Sequence, residues 1–197
     1  MFLLFFLSSL VLRGQEKYMF VNLDVNKPLS NTKWIEDISA AGGKIGYRGF
    51  INPNFSAGLD VGWSNFDQYV PTSTIENPTG AITTDYFRYV YSYSAVVSGQ
   101  YYFKDPEEER FFPYAGLGVG ANTNEYVLYY NIYDDSERSW GFLARPEAGI
   151  LYRFTERGSL GIMAAIHYDY STNKSEKFNY NNFSGLGFQI GFMVMTF

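Results

Sequence analysis

FRYVYSYSAVVSGQYYF, residues 87–103, alternates with a period of two. The odd positions are Phe87, Tyr89, Tyr91, Tyr93, Ala95, Val97, Gly99, Tyr101 and Phe103. The even positions include Arg88, Ser92, Ser94, Ser98 and Gln100. A period of two describes a β-strand with two chemically different faces. One face is long and rich in Tyr and Phe, as a lipid-facing strand requires. The other is too polar for the core of a soluble protein. This inversion points to a transmembrane β-barrel.

Seven further segments carry the same pattern. In 17–26, Met19, Val21, Leu23 and Val25 oppose Asn22, Asp24 and Asn26. In 40–51, Ile45, Tyr47 and Ile51 oppose Lys44 and Arg48; in 55–66, Leu59, Val61 and Trp63 oppose Asp60, Gly62 and Ser64. The others are 112–126, 140–154, 159–170 and 182–197, where glycine, Arg145, Glu147, Arg153, His167 and Asp169 hold the polar parity. Turn chemistry separates the segments, as at Asn52-Pro53-Asn54. The connections at 52–54, 104–111 and 155–158 are short, while those at 27–39, 67–84, 127–139 and 171–181 are longer and polar. The expectation is an all-β, eight-stranded antiparallel up-and-down barrel with short periplasmic turns and longer external loops.

Composition agrees. The chain has 197 residues, enough for one domain, and is 46% hydrophobic and 20% aromatic, yet its mean hydropathy is only −0.18. It contains no run of about 20 apolar residues of the kind a membrane-spanning helix needs. A net charge of −5 argues against nucleic-acid binding. With no cysteine and one histidine, disulfides, thiol chemistry and a multi-histidine metal site are excluded. No cofactor, metal or catalytic set is expected.

MFLLFFLSSLVLRGQ, residues 1–15, reads as a signal peptide whose apolar run, 2–12, is too short to span a bilayer. A single barrel domain is then expected over 16–197. A buried first strand is the alternative reading of residues 1–15.

The stretches Pro113-Tyr114-Ala115-Gly116-Leu117-Gly118-Val119-Gly120 and Pro146-Glu147-Ala148-Gly149-Ile150-Leu151-Tyr152-Arg153-Phe154, with the terminal Phe197, resemble the small eight-stranded outer-membrane barrels of the OmpA/OmpX type. These form part of the outer membrane protein beta-barrel domain group. The resemblance covers the whole mature chain. It implies residence in the outer membrane of a Gram-negative bacterium, contact with outer-membrane lipid, and Phe197 as the aromatic signal read by the barrel-assembly machinery. The Gly- and Tyr-rich style and Gly14-Gln15 after the apolar run resemble Bacteroidetes proteins.

An eight-stranded barrel is just wide enough inside for side chains to fill. The expected lumen network is Asp24, Lys44, Arg48, Asp60, Arg88, Arg145, Glu147, Arg153, His167 and Asp169, with nearly balanced signs. Charges removed from water must be paired, so the structural expectation is an internal salt-bridge plug. A narrow ion path or a small-ligand-binding barrel is the alternative. His167 and Asp169 lie two apart. Small barrels with lipid A deacylase activity resemble this with a His and a Ser at that spacing plus an acidic residue. Here position 169 is Asp, the nearest hydroxyl is Ser171, one step further, and parity points His167 into the lumen.

Tyr86, Tyr89, Tyr91, Tyr101, Tyr102, Phe103, Trp63, Trp140, Tyr152 and Phe154 read as interfacial girdles. The loop residues Tyr126, Tyr129, Tyr130 and Tyr133, with Asp134 and Asp135, are candidates for an external contact. Asp134, Asp135 and Glu137 form an acidic cluster that reads as a solvated loop, with calcium as the alternative. The functional expectation is a non-enzymatic barrel with a structural or interaction role, working alone or as an accessory subunit beside other outer-membrane proteins. A soluble lipocalin-like barrel would need the aromatic parity inside and the glycine and charge parity outside.

Overall fold

The computed structural model describes residues 16–77, 80–104, 109–130, 133–156 and 158–196. The signal-peptide segment 1–15 and Phe197 lie outside them. The strands are β1 (Lys17–Pro28), β2 (Ser39–Asn52), β3 (Phe55–Asn77), β4 (Gly80–Tyr102), β5 (Phe111–Tyr130), β6 (Tyr133–Arg153), β7 (Leu160–Ser171) and β8 (Phe183–Thr196). Each pairs antiparallel with the next, and β1 closes on β8 to give a barrel of eight strands. One pairing row runs from Glu16, whose carbonyl accepts from the Phe50 N–H, through Ser56, Gln100, Gly116, Glu147, His167 and Gly187. It returns to β1 at Asn26, a stagger of ten residues from Glu16 to Asn26. Such a stagger tilts the strands and sets the width of the interior.

The alternation decides the faces. On β4, Val97 is 58% exposed while its neighbours Val96 and Ser98 are 2% and 5% exposed. Leu23, Leu59, Leu117, Phe142, Ile166 and Phe192 stand outward in the same way on six other strands. The apolar parity therefore faces out, the reverse of a soluble lipocalin-like barrel.

Two connections differ from the sequence reading. Residues 67–84 and 127–139 are not loops. Their described residues are the ends of two long hairpins, with Asn77 paired to Gly80 and Tyr130 to Tyr133. The polar composition of the first region read as a loop, and it holds Pro71. The β3–β4 register shifts between Val70 and Ser73, and the β2 pairing of β3 has already ended at Asn65. A proline at a bulge on a free edge costs no ladder bond. The true loops on this side are 29–38 and 172–182. On the opposite rim, the Asn54 N–H donates to the Asn52 side-chain carbonyl at 3.0 Å and closes the first turn.

The lumen is layered. Near the short turns, Tyr18, Phe20, Phe50, Tyr102, Phe112, Tyr114, Leu151, Met163, Met193 and Met195 form an apolar floor. A polar layer fills the middle. At the loop side, Ile35, Phe66, Val90, Tyr126, Tyr180 and Phe183 form a second apolar layer, with Trp34 and Phe178 packed on it.

Candidate functional site

The polar layer consists of two clusters. In the lower one, Arg48 bonds Asp60 and Ser98, each at 2.7 Å, and Ser98 donates to the same Asp60 oxygen. Arg48 also lies 3.5 Å from Glu147. Glu147 accepts from Gln100 at 2.5 Å and Gln189 at 3.2 Å. The Tyr18 and Tyr102 hydroxyls donate to the Gln100 carbonyl at 2.5 and 2.6 Å. In the upper cluster, Lys44 lies 3.0 Å from Asp24. The His167 ring sits between Asp24 at 2.9 Å and Asp169 at 3.1 Å. Asp169 takes a two-pronged bond from Arg145 at 2.6 and 2.7 Å, and Arg145 also reaches Ser94. Charged hydrogen bonds at such lengths hold charges that burial would otherwise make costly.

Eight of the ten residues expected in the lumen thus meet in one layer: Asp24, Lys44, Arg48, Asp60, Arg145, Glu147, His167 and Asp169. Arg88 and Arg153 do not. Arg88 lies at the mouth, donates to the Lys33 and Trp34 carbonyls and the Tyr86 hydroxyl, and stacks 4.8 Å from the Trp34 ring. Loop 29–38 folds inward and captures it. Arg153 lies below the apolar floor, donates to the Glu109 carbonyl at 2.8 Å and sits 5.8 Å from the Phe112 ring. Strand parity reports which face a residue takes and nothing of its height along the barrel.

Charge-based reading missed the neutral members. Tyr18, Asn26, Ser94, Ser98, Gln100 and Gln189 are all buried in the lumen. Their parity was available as a signal. Two girdle assignments change for the same reason. Tyr86 and Tyr102 are 7% and 0% exposed and point inward. Phe103, Trp63, Tyr101, Trp140, Tyr152 and Phe154 do face outward.

Glycines let this layer close. A Cβ on Gly187 would run into the His167 ring and the Asn26 side chain, whereas one on Gly49 would meet nothing within 4 Å. Gly187→Ala is expected to cost about 1–3 kcal/mol by overpacking, and Gly49→Ala to stay within roughly 0.5 kcal/mol. Urea unfolding in lipid vesicles reads both; equal midpoints for the two variants would refute the packing.

At the mouth, the Trp34 and Phe178 rings lie 4.5 Å apart, and Tyr126 stacks on Tyr180 at 4.6 Å. Burial, reinforced by Tyr126, pushes the Tyr180 hydroxyl well above the usual phenol range, with Arg88 opposing. Of the expected external-contact residues, Tyr129 and Asp134 are exposed, whereas Tyr126 turns inward on the strand and is wholly buried in the loop-side apolar layer. Tyr130 and Tyr133 pair at the hairpin end. Asp135 pairs with Lys177, and Glu137 accepts from the Ser175 hydroxyl. Loop 172–182 therefore fastens to the β6 edge through two of the three carboxylates in the acidic cluster.

Fold and lumen together define an integral outer-membrane barrel. The outer membrane protein beta-barrel domain family matches residues 3–195, and the chain belongs to that family. Neisserial surface protein A superposes with a TM-score of 0.58 at 18% identity, covering 90% of this chain and 96% of that one. OprG from Pseudomonas aeruginosa gives 0.53 at 14% identity over 92% and 96%. Ail, the attachment invasion locus protein of Yersinia pestis, gives 0.53 at 12% identity over 93% and 100%. At these identities the likeness is one of fold. No protein of curated function matches the chain in sequence. The protein resides in the outer membrane of a Gram-negative bacterium, with its apolar face against lipid.

Proposed function

We propose that the protein is a closed, non-catalytic barrel that acts through what it presents outside the membrane. The lumen carries this reading. Its charged layer lies between two apolar layers, and the internal spaces beside Asp169 are only about 20 and 10 Å³, room for about one water each. Neither an ion path nor a small-ligand cavity fits that filling. A hydrolase is disfavoured because the His167 side chain is wholly buried between two carboxylates, and the nearby Ser171 hydroxyl is spent on the Phe183 carbonyl. Planar-bilayer recording at neutral pH is expected to give no stepwise currents; reproducible unitary steps would overturn the reading.

A subunit role has support from a specific feature. A lipid-facing groove of about 600 Å³ is lined by Val119, Gly120, Ala121 and Ala144 between Phe142 and Tyr170. Small residues recessed between aromatics allow close approach of another membrane surface. Phe197 serves, in this proposal, as the signal to the barrel-assembly machinery. Native mass spectrometry after mild-detergent extraction tests the subunit role. Stoichiometric partners would support it, and a lone copy of the barrel chain would refute it.

A further inference from the structure

We propose that the cleft between loops 29–38 and 172–182 is a saccharide site that takes a pyranose ring bearing an anionic group. This deepens the reading of an externally presenting barrel. The cleft has a volume of about 380 Å³ and is lined by Asn31, Thr32, Lys33, Trp34, Phe178, Asn179 and Tyr180, a size typical of small-ligand sites. Trp34 and Phe178 are half-buried, with rings inclined at 47°. Arg88 packs on the Trp34 ring, and the parts of the two rings left exposed give an apolar surface for the C–H face of a sugar, with a polar rim around it. Thr32, Lys33 and Asn179 are exposed on that rim and supply a hydroxyl, an ammonium and an amide, the groups that bond sugar hydroxyls.

The charge of the lining selects among sugars. Among the described residues, Lys33 is the one charged residue lining the cleft, and no carboxylate lines it. A lysine ammonium is a point charge suited to phosphate or carboxylate. The same lack of carboxylates disfavours a metal ion.

The cleft is also built in advance. Asn31 and Asn179 both hold left-handed backbone, φ 56° and 57°, a conformation that costs free energy and persists only where the surroundings impose it. The Asn31 amide donates to the Asn182 carbonyl at 2.5 Å, and the Leu29 N–H donates to Ser184. Ser175 and Tyr180 form a two-way backbone bridge, and Arg88 holds the Lys33 and Trp34 carbonyls. Walls fixed without a ligand reduce the ordering cost of binding one. The cleft opens on the external side, where the sugars of the outer leaflet and of other cells are found.

The test uses the full protein in lipid nanodiscs, titrated with three probes and followed by tryptophan emission and saturation-transfer NMR. The probes are phosphorylated core oligosaccharide released from lipopolysaccharide by mild acid, a sulfated disaccharide, and neutral maltotriose. At least one charged probe is expected to bind saturably and about ten-fold tighter than maltotriose, the gain of one charged hydrogen bond. Preference for the core oligosaccharide identifies the cell's own outer leaflet as the source, and preference for the sulfated sugar identifies a foreign surface. Asn179→Gly removes the amide while glycine keeps the left-handed turn, and should weaken binding about five-fold. Lys33→Gln should abolish the preference for charge. No saturable binding by any probe overturns the proposal. So does maltotriose binding as tightly as the charged probes, or binding indifferent to both substitutions. A failure here leaves the closed lumen intact, since the bilayer recording tests that separately.

Discussion

Arg48→Met should lower the unfolding free energy of the membrane-inserted protein by about 3–5 kcal/mol, the cost of leaving buried carboxylates without their partner. Arg48 is wholly buried, touches Asp60 at 2.7 Å and Glu147 at 3.5 Å, and is fully surrounded by the lower cluster. Methionine keeps an unbranched apolar stem and removes the guanidinium with its charge and donors, so the deficit is mainly the stranding of Asp60 and Glu147. The variant Arg48→Met/Asp60→Asn/Glu147→Gln should recover much of the loss, because neutral amides need no counter-charge. Urea titrations in phospholipid vesicles, read by tryptophan emission, give both values. An Arg48→Met midpoint equal to wild type would show that the two carboxylates are not stranded.

Val97→Arg tests the opposite face and should cost about 2–4 kcal/mol, the penalty for a cation at the bilayer midplane on the lipid side of a barrel strand. Val97 lies in an outward row with Leu59, Val119 and Ala144. Thr83→Arg, on the exposed end of the same strand, should stay within roughly 0.5 kcal/mol. Folding yields and vesicle unfolding compare the two directly. Equal stabilities would mean that the row through Val97 does not meet hydrocarbon.

Strand faces were legible from alternation alone. Val97, Leu59 and Phe192 face out and Asp60, Arg145 and His167 face in, as their parity requires, because a strand has only two sides. The length of the hairpins was not legible. Residues 67–84 carry Pro71 and a polar, threonine-rich composition, which describes a loop and a solvated two-stranded ribbon equally well. Height along the lumen was also hidden. It follows from the ten-residue stagger between Glu16 and Asn26, a property of closure around all eight strands, so Arg88 and Arg153 looked like members of a network they do not join. The mouth was the least legible region. Trp34, Phe178 and Tyr180 come from segments about 140 residues apart in sequence, with no periodicity to mark them. Only the docking of both loops on Phe66, Val90 and Tyr126 gives them a common place.

The β3–β4 ribbon has a consequence of scale. β3 leaves its β2 partner at Asn65 and runs on to Asn77, which at about 3.3 Å per residue is a reach of roughly 40 Å along the strand. Tilted as barrel strands are, a ribbon of that length on the external side is expected to stand well clear of the other loops. The bend at Asn77 and Gly80 is then the first part of the molecule met by anything too bulky to reach the barrel rim, such as an antibody, a bacteriophage tail or the surface of another cell. A short epitope spliced in at that bend would be displayed on intact bacteria, whereas the same epitope in the turn at Asn52 would stay hidden in the periplasm.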